Sequence, residues 1–471
     1  MTLCFSLLQI VYATTKENRG EITMFSDSKN QVSLTEGPIW KQIILFTIPL
    51  LLGNIFQQMY NAADSIIVGN FLGSSALAAV GSSSSVINLL VSAFMGISVG
   101  AGVVISKYYG AKDEEGVERA VHTMITVGII GSIVLTILGV ILSPFILVWM
   151  GTPDSVMQNS VLYFRIFFAG IASTVMYNIG SGIFRAIGDS KRPLYYLIIS
   201  TIINVILDLL FVAVFHWGIA GAAIATVIAQ TVSCILTYYK LITETSVYQL
   251  KLHKLRIHKY ELKQIIRIGL PGGLQNSIVS LSNVIVQSNI NSFGEQAIAG
   301  CGAYWKIDGF ALLPASSFAL AVTTFVSQNI GARKLERVKK GMTFSLLAGM
   351  ITAEIIGVII FIFAPYLIAL FNQDPEVIAY GSEMARNVVP AYFLVAISHG
   401  IAGVLRGAGK SIVPMITMIS FWCILRVVYM TVALRYVNDI HIVYWAYPIT
   451  WTCSAIVLFI YLKRVKWMPS L

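Results

Sequence analysis

Two aspartates carry the strongest chemical signal in this chain. Asp64 lies in IPLLLGNIFQQMYNAADSIIVGNFLG and Asp208 in LYYLIISTIINVILDLLFVAVF, runs otherwise apolar enough for lipid. A carboxylate within a membrane span is costly, so such groups face the protein interior and mark ion or proton paths. Gln57, Asn61 and Asp64 are spaced i, i+4, i+7 and share a helix face; Asn204 and Asp208, at i, i+4, share another. Asp64 falls about 9 Å and Asp208 about 12 Å from the outer ends of their helices, at 1.5 Å per residue. At similar depth the two could line one cavity. Two such oxygen-rich stripes could hold Na⁺ at Asp64 and Asp208 or share a proton, since either relieves the repulsion between neighbouring carboxylates. The alternative is a polar patch that only joins helices. Tyr163, Asn178 and Thr226 could add oxygens to the same cavity, or serve packing alone. Pro49, near the inner end of the first span, removes an internal hydrogen bond and permits a kink that could couple helix bending to Asp64.

These residues need membrane helices to position them. The chain has 471 residues, 56% hydrophobic and 11% charged, with a mean hydropathy of +0.78. Soluble domains carry about 25% charged residues, which excludes that class. Twelve apolar runs are long enough to cross a hydrocarbon core of roughly 30 Å: 42–69, 76–105, 120–148, 156–182, 193–216, 218–240, 265–291, 297–328, 342–371, 376–403, 412–436 and 441–462. The net charge of +10 does not imply nucleic acid, because 27 of the 32 Lys and Arg fall on one side if both termini are cytoplasmic. The opposite loops carry Asp154, Glu295, Asp374, Glu376 and Asp439. The positive-inside rule therefore predicts twelve helices with both ends inside, and the basic face should meet anionic lipid headgroups.

An offset of about 221 residues aligns the two halves of the chain. Gly110-Ala111-Lys112 matches Gly331-Ala332-Arg333, Pro144 matches Pro365, Arg165 matches Arg386, and Arg185, Gly188 and Pro193 match Arg406, Gly409 and Pro414. Gly73 and Gly81 match Gly294 and Gly302. Six helices per half make the repeats parallel, and transporters so built place the substrate path between them and work by alternating access. The expected organisation is an N-terminal segment at 1–35, an N-lobe at 36–240, a basic linker at 241–264, a C-lobe at 265–465 and a tail at 466–471. Residues 240–267 hold seven Lys or Arg against two Glu and read as a solvated connector or an amphipathic helix at the interface. The acidic pair belongs to the N-lobe alone, because Asn204 and Asp208 map onto Leu425 and Tyr429.

Other intramembrane polar groups have structural explanations. Glu354 and Arg426 could pair. Lys306 and Asp308 are close enough in sequence to neutralise each other. His399 reads as a packing histidine, and Arg165 and Arg386 as braces for their lobes. The five cysteines show no CxxC pairing and read as small packing residues. No P-loop, HExxH or nucleophile elbow is present, so nothing points to an enzyme, a bound cofactor or ATP use.

The stretch TEGPIWKQIILFTIPLLLGNIFQQMYNAADSIIVGNFLG resembles the first helix of the multidrug and toxic compound extrusion (MATE) transporters. FRAIGDSKRP with IINVILD resembles the family's fourth-to-fifth helix region, and GAKDEEGVERA, FVSQNIGARKLERVKKG and LRGAGK resemble its repeated cytoplasmic loops. The resemblance spans roughly residues 33–465. It implies an all-α membrane protein of twelve transmembrane helices in a V-shaped pair of six-helix lobes, and export of organic cations and drugs coupled to H⁺ or Na⁺. It also implies functional positions at Asp64, Asn204 and Asp208, with Gln57, Tyr163, Asn178 and Thr226 as cavity partners. The pattern is similar to the branch whose acidic site lies in the N-lobe, since GLPGGLQNSIVSLSNVIVQ in the seventh helix has no carboxylate. A multi-pass antiporter of the inner membrane, working as a monomer on small organic molecules, is the leading expectation. A flippase for lipids or lipid-linked oligosaccharides is the rival; the acidic site and twelve helices count against the cationic cavity and added helices expected there.

Residues 1–23 are apolar for too short a run to span, and no basic region precedes LCFSLLQIVYA as a signal peptide requires. Met24 opens a more natural polar lead, so N-terminal sequencing of the expressed protein is expected to begin at or just after Met24; a sequence beginning TLCFS or MTLCF would refute this.

Overall fold

The computed structural model describes residues 33–149 and 152–468. The expected start at Met24 lies outside them. All twelve apolar runs become helical. The first two join as α1 (Ile39–Gly110), whose helical dihedrals break only at Gly73. There follow α2 (Glu114–Trp149), α3 (Asp154–Ala169), α4 (Ile171–Ala186), α5 (Lys191–Asp208) and α6 (Gly218–Thr243). The second half has α7 (Lys259–Asn291), α8 (Glu295–Ala311), α9 (Leu313–Gly331), α10 (Leu335–Ala369), α11 (Pro375–Val388), α12 (Tyr392–Gly407), α13 (Ile412–Met418), α14 (Arg426–Tyr436) and α15 (His441–Arg464). Several spans are thus built from two pieces: α3 and α4 meet at a 48° bend, and π-helical segments at Leu209–Val214 and Ile419–Leu425 interrupt the fifth and eleventh spans. Among the described residues nine helices are long and apolar enough to cross a membrane, or ten with the bent pair.

The chain forms two compact units, one from residues 52–266 and the other from residues 34–51 and 267–471, apart from the termini outside the described residues. The first helix is therefore divided, its opening turns belonging with the C-terminal unit. Within that unit the amide of Asn329 donates to the Leu34 carbonyl at 3.1 Å, and Arg337 donates to the carbonyls of Leu34, Glu36 and Gly37.

The duplication is visible in the backbone. Gly73 (φ 82, ψ −179) and Gly294 (φ 100, ψ 174) occupy the same conformation, one essentially reserved to glycine. Lys112 and Arg333 both sit at φ 57 in matching turns. In one turn Asp113 N–H donates to Tyr108 O, and in the other Lys334 N–H donates to Asn329 O.

The basic linker is an irregular strap rather than a helix. Between the end of α6 at Thr243 and the start of α7 at Lys259 its only helical run is a short 3₁₀ turn at Leu252–Lys254, which sets aside the amphipathic-helix alternative for that stretch. It is pinned to the start of α2 and α5. Lys254 pairs with Glu118 at 2.6 Å, His258 N–H donates to Thr123 Oγ1, and Arg119 pairs with Glu261 at 2.8 Å. Buried Arg192 pairs with both Asp189 and Glu244, at 3.1 and 2.6 Å. Buried pairs of this kind are held by geometry and by further hydrogen bonds, which offset their desolvation.

Helix contacts in the C-terminal unit depend on small residues. A Cβ on Gly300 of α8 would lie 2.6 Å from Val377 O and 2.8 Å from Gly381 N on α11. Backbone cannot yield as a flexible side chain can, so Gly300→Ala is expected to destabilise the purified protein by about 1–3 kcal/mol. Gly302→Ala, whose Cβ would meet nothing within 4 Å, should leave the thermal midpoint unchanged or slightly raised; equal midpoints for the two variants would contradict the packing argument.

Candidate functional site

The N-terminal unit gathers Asp64 from α1 and Asn204 and Asp208 from α5. All three are buried, at 8%, 0% and 0% exposure. The exact end of α5 matters here: Asp208 is its last residue, and the π-helical segment begins at Leu209. π-segments inside helices are frequent at functional sites. Asp208 lies in the electrostatic field of Asp64 and beside Asn204. Tyr163 of α3, 4% exposed, feels both carboxylates.

These groups are neighbours without closed hydrogen bonds. Asn204 faces Asp208 and Tyr60 faces Thr226, but Asp64 Oδ1, both Asp208 carboxylate oxygens, Asn204 Oδ1 and Nδ2, and Thr226 Oγ1 are buried without a well-formed hydrogen bond within the protein. Leaving buried polar groups unsatisfied costs roughly 1–3 kcal/mol each, so so many at one place is a departure from ordinary packing. Five of the six atoms are oxygens, the donor type that a hard cation takes, and a carboxyl pair can equally hold a proton. The donor set therefore fits either coupling ion expected from the sequence.

The structure adds Tyr60 and Gln230 to the sequence candidates. Tyr60, 7% exposed, stands one helical turn before Asp64 and beside Thr226 and Gln230, within the field of both carboxylates. The i, i+4 spacing from Tyr60 to Asp64 was the available signal. Asn61 is exposed, and Gln57 is half-buried. Asn178 has its side-chain amide committed to Thr174 O at 2.8 Å in its own helix, and its carbonyl receives Ser98 Oγ at 3.0 Å. Pro49 sits inside α1 with helical dihedrals on both sides.

Of the candidates outside this cluster, some are placed as expected and some are not. Arg426 does not pair with Glu354. Its guanidinium reaches Asn283 and Thr450 and stacks on Tyr447, while Glu354 interacts with the backbone of Phe393. Lys306 and Asp308 do not neutralise each other. Asp308 accepts hydroxyl protons from Tyr392 at 2.6 Å and Tyr304 at 3.2 Å, and the Lys306 ammonium lies over the Phe371 ring. On a helix, positions i and i+2 point to different faces, so their proximity in sequence is misleading. His399 packs edge-on against Trp422 at 5.4 Å. Arg165 donates to Ser143 Oγ at 3.2 Å, as a brace would, but its repeat partner Arg386 is exposed.

The MatE family profile matches the chain twice, over residues 49–210 and 271–432. The chain belongs to the MatE family. The two matches also fall on the two repeats read from the sequence. "Probable multidrug resistance protein YpnP" of Bacillus subtilis is 30% identical over 396 residues, covering 82% of this chain and 87% of that protein. "Probable multidrug resistance protein YoeA" of the same organism is 30% identical over 437 residues, covering 91% and 94%. A solved structure described as an outward-facing multidrug resistance MATE family transporter superposes with a TM-score of 0.86 at 24% identity, over 93% of this chain and 98% of that one. The fold is thus the all-α, twelve-helix MATE fold, and the chain is a multi-pass membrane transporter of that family.

The unpartnered carboxylates give this MatE chain a testable stability signature. Asp208→Asn removes a buried ionisable carboxyl at nearly constant volume. In Na⁺-free buffer at alkaline pH, where the carboxylate is charged, it is expected to stabilise the purified protein by on the order of 1 kcal/mol, read as a higher thermal midpoint, as functional sites trade stability for activity. A lower midpoint would show that Asp208 holds the fold together.

Proposed function

We propose that this MatE-family chain is an antiporter of the cytoplasmic membrane, both termini inside, that exports amphipathic and often cationic compounds against inward flow of H⁺ or Na⁺. The observation carrying this reading is the convergence of Asp64 and Asp208 in one unit, buried and with unpartnered oxygens. Relatives named for multidrug resistance favour export over lipid flipping. The chain would then belong to the branch with its acidic ion site in the N-lobe.

The mechanism follows from charge balance. Asp64, Asp208 and Asn204 would receive the coupling ion, with Tyr60, Tyr163 and Thr226 closing the shell around it. Once the carboxylates are neutralised, they no longer attract a cationic substrate, and the substrate leaves. Ion binding also removes the repulsion that disfavours close approach of α1 and α5. Pro49 lies two residues before the point at which α1 passes from one unit to the other. A proline there leaves the Leu45 carbonyl without its helical donor, so bending at this point is cheap. A two-lobe monomer suffices for this cycle, and no ATP enters it.

The test is dye efflux in proteoliposomes, with a proton gradient and a sodium gradient imposed separately. One gradient is expected to drive efflux in the wild type. Asp64→Asn should reduce gradient-driven efflux at least tenfold while the amount of folded protein stays the same. Normal efflux by that variant would sink the mechanism, and efflux in the wild type without either gradient would remove the antiport itself.

A further inference from the structure

The C-terminal unit buries a cation that the mechanism above does not use. Arg426 is 2% exposed and is the largest of the fully buried side chains among the described residues. Its backbone place is set by the π-helical segment Ile419–Leu425, which ends at the residue before it. The eleventh span thus repeats a device of the fifth, where a π-segment begins directly after Asp208. In one repeat the π-segment adjoins a buried acid, in the other a buried base.

The guanidinium is poorly satisfied. Arginine offers five N–H donors in a planar fork. One nitrogen donates to Asn283 Oδ1 and another to Thr450 Oγ1, both at the long distance of 3.4 Å, and Nε is buried with no acceptor. Among the described residues no carboxylate forms an ion pair with Arg426. Asp308 lies close enough to act on it electrostatically, but Asp308 Oδ1 is engaged by the hydroxyls of Tyr392 and Tyr304. A buried cation without a bonded anion is unfavourable, and Asn283, which touches the guanidinium, is itself exposed.

The surroundings select the chemistry. Tyr447 lies beneath the guanidinium, 4.5 Å from its ring centroid, and Trp451 packs edge-on against Tyr447 at 5.6 Å. Among the described residues no second cation acts on this guanidinium, so it matches at most one added negative charge; Asp308 nearby makes a dianion still less favourable. Arginine matches a carboxylate with two parallel hydrogen bonds, and the partly exposed Tyr447, backed by buried Trp451, favours a flat apolar body beside it.

We propose that Arg426 heads a second binding site, within the C-terminal unit, for the carboxylate of an aromatic amphipath. This rests on the export reading above and narrows its substrates to include monoanionic and zwitterionic compounds, the acid of the molecule held at Arg426.

The test is equilibrium binding to the purified full-length chain, with no ion gradient, so that it does not depend on coupling. The probes are 4-benzoylbenzoate and its neutral analogue 4-(hydroxymethyl)benzophenone, with binding to protein-free micelles subtracted. The wild type should prefer the carboxylate about tenfold, the gain expected of a charge-assisted hydrogen bond. Arg426→Gln should bring the preference to about one without changing affinity for the alcohol, and Asp64→Asn should keep the wild-type preference. If Asp64→Asn loses gradient-driven efflux and keeps this preference, both readings stand; if efflux is insensitive to Asp64, the export mechanism fails and the anion site is judged by this assay alone. Equal binding of the two probes by the wild type, or an undiminished preference in Arg426→Gln, would overturn the proposal. Should Arg426→Gln fail to fold, photolysis of 4-benzoylbenzoate bound to the wild type decides: labelling of peptides containing Asn283 or residues 447–451 supports the site, and labelling confined elsewhere refutes it.

Discussion

Hydrocarbon cannot solvate charge, and a chain embedded in it must arrange every buried ion and every backbone polar group from its own resources. Much of this structure follows from that constraint. At the polar margins, charges are closely paired: Arg192 with Asp189 and Glu244, Arg119 with Glu261. Within the spans the solutions divide. Asp308 is served by two tyrosine hydroxyls, a settled arrangement. Asp64 and Asp208 retain oxygens with no protein donor. The same constraint that makes a span stable therefore separates acids served by the protein's own donors from acids whose oxygens are left over, the ones proposed above to take an ion.

The sequence made the helices and the duplication legible because both are repetitive signals, averaged over many residues. Apolar runs of membrane length need no partner to be recognised, and one offset across several motifs cannot arise by chance. Asp64 and Asp208 stood out for a similar reason, being rare residue types in their context. What sequence spacing conveys poorly is a helix that changes its winding. The π-helical segments after Asp208 and before Arg426 are built of residues such as LLFVAV and ISFWCIL, which look like any other span. Shared-face arguments extended across the first helix selected Asn61, which is exposed, and passed over Tyr60, which is buried. The face a helix buries depends on its neighbours, and those come from distant parts of the chain. The pairing of Lys306 with Asp308 failed for a local reason, since residues two apart on a helix diverge.

The two halves show what duplication preserves and what it releases. The turns survive in detail: Gly73 with Gly294, Lys112 with Arg333, and Gly188 with Gly409 keep their positive φ values. Such positions tolerate few alternatives, because a wrong dihedral is strained wherever it occurs. The interiors have moved apart. An acid-bearing cluster in one half corresponds to apolar and aromatic positions in the other, where a guanidinium stands nearby. Backbone punctuation is common to the repeats, while chemical specialisation is carried by the side chains between.

The division of α1 between the units bears on how this protein could be taken apart. The strap between the halves looks like the natural place to cut, since it joins the last helix of one repeat to the first of the next. A break there would strand residues 34–51 on the wrong fragment, together with the carbonyls of Leu34, Glu36 and Gly37 that anchor Arg337. A C-terminal fragment made alone would lack part of its own framework, and an N-terminal fragment would carry an opening turn with nothing to grip. Gene order and folding unit are out of step by one half-helix, so co-expressed halves would have to re-find each other through that segment, and a circular permutant beginning in the strap would keep it only if the original termini were joined by a tether.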